Sequence, residues 1–168
     1  VWDEDAKKLS GLNASGRSPK SLSLDHFKEK GHEFVPDFGP LPVTVPGCVD
    51  GWFELHKKFG RLPMKDLLQP AIDYANKGFP LTEVIAAGWQ SSVSRFKDYP
   101  GFSETYLIEG KAPGKGQVFK NPYLARTLSL IAENGRDVFY SGEISRTIEQ
   151  FIKSQGGFLT YDDMSHHT

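Results

Sequence analysis

Several groups of side chains in this sequence could do chemistry, and each must be weighed against a simpler role. Cys48, the single cysteine, would be a nucleophile if a helix N-terminus lowered its pKa. No histidine stands in a recognisable motif with it, so a small apolar residue opening a helix is the simpler reading. One cysteine also excludes an internal disulfide framework and a zinc site of several thiolates. His166-His167 looks like a metal pair, but adjacent residues of an extended chain point to opposite sides. A solvated tail is expected there, and no metal site. Asp162-Asp163 resembles a paired-carboxylate acid/base site, yet the N-terminal cap of a helix accounts for both. Gly110 to Gly116, with Lys111 and Lys115, lacks the Gly-Lys-Ser/Thr ending and the preceding strand of a phosphate loop. His56 lies on an apolar helix face and reads as a hydrogen-bonded core histidine; His26 and His32 have no evident role. No cofactor is expected.

The bulk properties narrow the class. A chain of 168 residues with 38% hydrophobic and 12% aromatic content can bury a real core and is not of disordered composition. Lys+Arg 20 against Asp+Glu 21 leaves a net charge of -1, so no global field recruits nucleic acid or an anionic membrane. No apolar run approaches the roughly 18 residues of a membrane span. Val1 to Asp5 lacks the basic and apolar regions of a secretory signal. Val1 is not an initiator methionine, so a missing start is expected and the compartment stays open.

The elements that must position these residues are mostly helical. Leu12 to Pro19 reads as a turn-rich loop. Ser23 caps a short helix with Leu24 and Phe27 inward, stopped by Gly31. Four prolines surround Val43-Thr44-Val45, which suits an extended edge segment. Val49, Trp52, Phe53, His56 and Phe59 then recur at helical spacing up to Gly60. A second stripe, Met64, Leu67, Leu68, Ala71, Ile72 and Ala75, is interrupted by Pro70, which predicts a kink or two short helices before Gly78. A third helix from about Leu81 buries Val84, Ile85, Gly88, Trp89 and Phe96. Asp98 to Lys120 shows no steady period and reads as a surface excursion. Asn121-Pro122 opens a helix with Leu124, Leu128, Ile131 and Ala132 inward, closed by Gly135. The last long stripe is Ile144, Ile148, Phe151 and Ile152, followed by a Thr160–Asp163 capping box. Residues 1–168 are expected to be a single partial domain, with 1–40 loop-rich and 41–168 a helical layer.

Several ordered blocks carry a resemblance. Val45-Pro46-Gly47-Cys48-Val49-Asp50-Gly51-Trp52 matches V-P-G-x-x-x-G. Phe59-Gly60-Arg61-Leu62-Pro63, Leu68-Gln69-Pro70-Ala71-Ile72 and Ala75-x-x-Gly78-Phe79-Pro80 match G-R-L-P…L-x-Q-P-A-I…A-x-x-G-F-P. Asn121-Pro122-Tyr123-Leu124-Ala125-x-Thr127-Leu128, Phe139-Tyr140-Ser141-Gly142 and Gly156-Gly157-x-Leu159-Thr160-x-x-Asp163 follow. Together they resemble the middle of the large subunit of the γ-glutamyltranspeptidase family.

The resemblance implies a mainly α chain with short strands, part of an αββα Ntn-hydrolase fold. The family's precursor cuts itself once, and the threonine so exposed attacks a γ-glutamyl amide with its own α-amine as base. That threonine motif is absent here. Thr168 is refused the role, because it has no free amine and lies too early for the cut. No catalytic residue is therefore expected in this chain. The expected partners are the remainder of the precursor, which carries the nucleophile, and a γ-glutamyl small molecule such as glutathione. The resemblance also implies a substrate-binding role for Arg17. The family places an arginine in R-E-x-A-P upstream of these blocks, where a guanidinium pairs both oxygens of the substrate carboxylate. Here the loop reads Ser15-Gly16-Arg17-Ser18-Pro19, with the arginine two residues before proline and no acid. Two alternatives stand beside this reading: a cephalosporin-acylase-like amidohydrolase, and a non-catalytic helical interaction module.

Overall fold

Short helices joined by glycine and proline corners dominate residues 1–168, all of which the computed structural model describes. They form two units, residues 1–63 with 133–168 and residues 64–132.

The first unit begins with a two-residue hairpin, β1 (Trp2–Asp3) antiparallel to β2 (Lys8–Leu9) with Trp2 opposite Leu9. Asp3 closes its turn by accepting from the Asp5 and Ala6 amides at 3.1 and 3.0 Å. After a loop, Ser23 caps α1 (Leu24–Glu29), its hydroxyl accepting from the His26 amide at 3.3 Å. Leu24 is exposed rather than inward, since a six-residue helix has room for one covered face and Phe27 and His26 take it. Val43 to Val45 joins no strand. Val45 is instead buried, and its amide donates to the Arg17 carbonyl at 3.0 Å. α2 (Cys48–Phe59) follows and buries Val49, Asp50 and Gly51 at its start. His56 Nε2 donates to the Leu62 carbonyl at 2.7 Å, which folds the chain back at Gly60.

The second unit opens with α3 (Met64–Lys77), which runs unbroken through Pro70. One continuous helix forms rather than two short ones, because the proline leaves only the Asp66 carbonyl without its partner and both residues are exposed to water. Gly78, at φ 89°, ends the helix in the left-handed region. β3 (Phe79–Pro80) leads to α4 (Glu83–Phe96). Val84 and Ile85 are exposed there, and Ala86 with Trp89 faces inward. The smaller alanine occupies the close-packed face, so a hydropathy stripe centred on the larger residues is displaced from it. The presumed surface excursion contains α5 (Phe102–Tyr106) and β4 (Val118–Phe119), and β4 pairs antiparallel with β3. Phe119 thereby enters a core with Leu81 and Ala86, its ring 4.6 Å from that of Trp89. α6 (Pro122–Asn134) is capped by Asn121, whose Oδ1 accepts from the Leu124 amide at 2.9 Å. It buries Ala125, Leu128 and Ile131. Tyr74, Phe79, Trp89, Tyr106, Phe119 and Leu124 line an open apolar groove of about 610 Å³.

The C-terminal part of the first unit is α7 (Asp137–Tyr140), α8 (Glu143–Ser154) and α9 (Tyr161–Ser165), packed on one another. Tyr140, Leu159 and Met164 are fully buried between them. α9 carries the expected capping box: Thr160 Oγ1 accepts from the Asp163 amide, and the Asp163 carboxylate accepts from the Thr160 amide.

Candidate functional site

The loop Leu12 to Pro19 lies pressed against the start of α2. A Cβ on Gly16 would sit 1.6 Å from the Val45 carbonyl oxygen, and one on Gly47 2.0 Å from that of Ala14. Only glycine permits such backbone-to-backbone approach. Asn13 adds a local turn by accepting from the Ser15 amide at 3.0 Å. The loop's path is thus set by backbone contacts, and Arg17 is carried on it with its carbonyl bound to the Val45 amide. The Arg17 side chain is exposed and enters no hydrogen bond or ion pair. Its planar guanidinium is free to meet a carboxylate with two parallel bonds.

Beyond Arg17, Pro19 is buried and the chain is tied again. The Lys20 amide donates to Asp163 Oδ1 at 2.9 Å, and its ammonium to Asp162 Oδ2 at 2.6 Å. Burial alone would raise the Asp163 pKa, but the Lys20 amide and both Thr160 donors outweigh it and hold the carboxyl below its ordinary 3.8. A depressed folded-state pKa contributes stability above about pH 4, and that contribution is lost as pH falls through the folded value. The stability gap between the wild type and Asp163→Asn is therefore expected to be largest at neutral pH and to close below 3.8. Denaturation midpoints at a series of acidic pH values measure it, and a gap independent of pH would contradict it.

Beneath α2 lies a polar network that sequence reasoning missed. Arg136 donates through Nε to Asp50 Oδ1, through Nη2 to the His167 carbonyl, and through Nη1 to Asp137 at 3.2 Å. Tyr140 stacks under that guanidinium at 4.4 Å. Its hydroxyl accepts from the Asp50 amide at 2.9 Å and donates to the Pro46 carbonyl at 2.6 Å. Burial pushes the Tyr140 pKa up. Burial works to lower that of Arg136, but the bond and charge of Asp50 prevail and it ends above its ordinary value. Asp50 and Arg136 are 86 residues apart, so no local spacing reveals the pair. The one available signal was an acid among the apolar and small residues that open α2.

His167 corrects the expected solvated tail: it is buried and stacked on Tyr140, with ring centroids 5.4 Å apart. Packing against an aromatic ring covers its apolar faces. Ser165, His166 and Asp162 do come together, but not as a relay. Ser165 Oγ and the Asp162 carboxylate both meet His166 Nδ1, at 3.3 and 3.0 Å. A nucleophile, base and orienting acid need opposite ring nitrogens. Cys48 is exposed at the start of α2. No cluster of three or more His, Cys, Asp or Glu could hold a metal ion, and no helix is long and apolar enough to cross a membrane.

What these residues offer is an exposed, unpaired guanidinium on a tethered loop rather than a bond-breaking centre. Comparison with known proteins gives that arrangement its context. The family model described as gamma-glutamyltranspeptidase matches residues 1–168. The chain belongs to the gamma-glutamyltranspeptidase family. It is 35% identical to the glutathione hydrolase-like proenzyme of Bacillus subtilis, over 99% of this chain and 32% of that protein. It is 36% identical to the oxamate amidohydrolase proenzyme of Klebsiella pneumoniae, over 93% of this chain and 30% of the relative. The chain thus spans about a third of the length of these curated relatives.

Among solved structures, the cephalosporin acylase of Bacillus halodurans superposes with a TM-score of 0.92 at 40% identity, covering 98% of this chain and 32% of the acylase. The gamma-glutamyltranspeptidase of Helicobacter pylori gives 0.87 at 26%, covering 92% and 46%. The fold is accordingly mainly α with short strands, and it forms part of the Ntn-hydrolase architecture of the gamma-glutamyltranspeptidase family.

Proposed function

We propose that this chain is the substrate-anchoring part of a gamma-glutamyltranspeptidase-like enzyme, which hydrolyses or transfers an acyl group from an amide. The observation that carries the reading is the family match along the whole chain, coupled with an unpaired guanidinium on a loop tied by its backbone. The nucleophile lies on polypeptide outside these residues: a threonine exposed when the precursor cuts itself. Its hydroxyl oxygen attacks the amide carbonyl carbon, its own amine takes the hydroxyl proton, and that proton passes to the departing amine. Water or a second amine then attacks the resulting ester and restores the threonine. Arg17 holds the carboxylate end of the acyl group during both steps. The partners are the remainder of the same precursor and a γ-glutamyl compound such as glutathione.

A second reading, an acylase acting on another carboxylate-bearing amide, is favoured by two observations. The cephalosporin acylase is 40% identical to this chain, and the Arg17 loop lacks the acid of R-E-x-A-P. Oxamate, named for the Klebsiella relative, also presents a carboxylate beside an amide. The full-length protein, offered γ-glutamyl-p-nitroanilide and glutaryl-p-nitroanilide, decides between them. Preferential release from the first supports the γ-glutamyl reading, and preferential release from the second the acylase. Release from neither, with the threonine shown to remain uncut, would favour a non-catalytic module.

A further inference from the structure

Asp163 does two jobs with its two carboxylate oxygens, and only one of them concerns its own helix. Oδ2 accepts from the Thr160 amide at 2.9 Å and from its hydroxyl at 2.7 Å, completing the capping box of α9. Oδ1 is turned away from that box, accepting from the Lys20 amide at 2.9 Å across 143 residues of sequence. Asp163 as a whole is only 6% exposed, so water does not compete well for its carboxylate. Lys20 stands three residues after Arg17, and the intervening Pro19 is buried. On the other side, the Arg17 carbonyl is held by the Val45 amide at 3.0 Å. The Arg17 side chain has no partner of its own, so these two backbone ties fix only the segment from which it projects. The Val45 tie is a neutral backbone–backbone hydrogen bond, whereas the Asp163 tie is a charge-assisted bond to a buried anion, the stronger kind.

We propose that Asp163 is a positioning residue for the substrate carboxylate: through the Lys20 amide it fixes the segment that presents Arg17. This rests on the role given to Arg17 above. A helix cap alone does not account for it, because the cap uses Oδ2 and Oδ1 is the oxygen that reaches the loop.

The tie can be cut without touching Asp163. The Leu22 amide donates to the Pro19 carbonyl at 3.1 Å, a turn in which Lys20 holds the second position, the one that accepts proline. Lys20→Pro removes the amide donor and the ammonium, while Lys20→Ala removes the ammonium alone. In the full-length enzyme, assayed with the anilide it cleaves best, Lys20→Pro and Asp163→Asn are expected to raise KM about fivefold or more. Their kcat is expected to stay within about twofold of wild type, since an anchor made in both ground and transition state is lost. Lys20→Ala and Thr160→Val, which breaks only the cap hydroxyl, are expected to leave KM near wild type. Hydrogen exchange of the peptide covering Lys20 is expected to quicken in Asp163→Asn and not in Thr160→Val.

An unchanged KM in Lys20→Pro, or equal shifts in Lys20→Pro and Lys20→Ala, overturns the proposal, as does unchanged exchange in Asp163→Asn. Arg17→Ala separates the levels. If it raises KM while Lys20→Pro does not, the tie is irrelevant and the anchor stands. If neither raises KM, the role given to Arg17 has failed and the proposal falls with it.

Discussion

Replacing Arg136 with alanine is expected to cost about 3 kcal/mol of folding stability. The cause is less the loss of a bond than what is left behind. Asp50 has a side chain only 11% exposed, and Arg136 is its ion-pair partner. Without the guanidinium, the carboxylate must stay charged in a poorly solvated place or take up a proton. The His167 carbonyl loses its donor, and Tyr140 loses the cation over its ring. Arg136 keeps 23% exposure, which lets some water replace it and places the effect at the lower end of the range for breaking buried pairs. The double variant Asp50→Asn, Arg136→Ala should recover part of the loss, because it removes the stranded charge. Urea denaturation of the full-length protein measures both. Equal stability of Arg136→Ala and wild type would show that the pair contributes nothing.

The second large effect is expected from Gly16→Ala. A methyl group there would meet the Val45 carbonyl oxygen at 1.6 Å, far inside contact distance, and the obstacle is backbone. Either the loop or the segment before α2 has to move, breaking the bond between the Val45 amide and the Arg17 carbonyl. Overpacking of this kind costs about 1–3 kcal/mol. Because the displaced residue is next to Arg17, a KM increase of several-fold should accompany the loss of stability. Gly88→Ala is the natural control: it also adds one methyl to a glycine, but nothing lies within 4 Å of the added atom. A Gly16→Ala enzyme with wild-type stability and KM would mean that the close approach is not needed.

Much of the fold was legible because its signals are local. Ser23, Asn121 and Thr160 each cap the helix that their position predicts, and Gly78 and Gly135 turn left-handed where the helices stop. What went astray depends on distant partners. The β4 strand is two residues long and acquires meaning only by pairing with β3, about forty positions earlier. The face of α4 was misjudged because close packing favours Ala86 over the larger Val84 and Ile85. His167 looked like a tail residue until Tyr140 supplied a surface for its ring. At the candidate site, Arg17 was found through resemblance alone. The contacts that hold it, with Val45 and Asp163 by way of their bonds to residues 17 and 20, left no mark in the spacing of the sequence.

The central claim is that Arg17 anchors the carboxylate of the acyl group, and one comparison addresses it. KM and kcat of the full-length enzyme are measured with its preferred anilide for wild type, Arg17→Lys and Arg17→Ala. The account predicts KM at least about tenfold higher in Arg17→Ala, with Arg17→Lys intermediate because an ammonium keeps the charge but loses the planar fork. Wild-type KM in Arg17→Ala would contradict it.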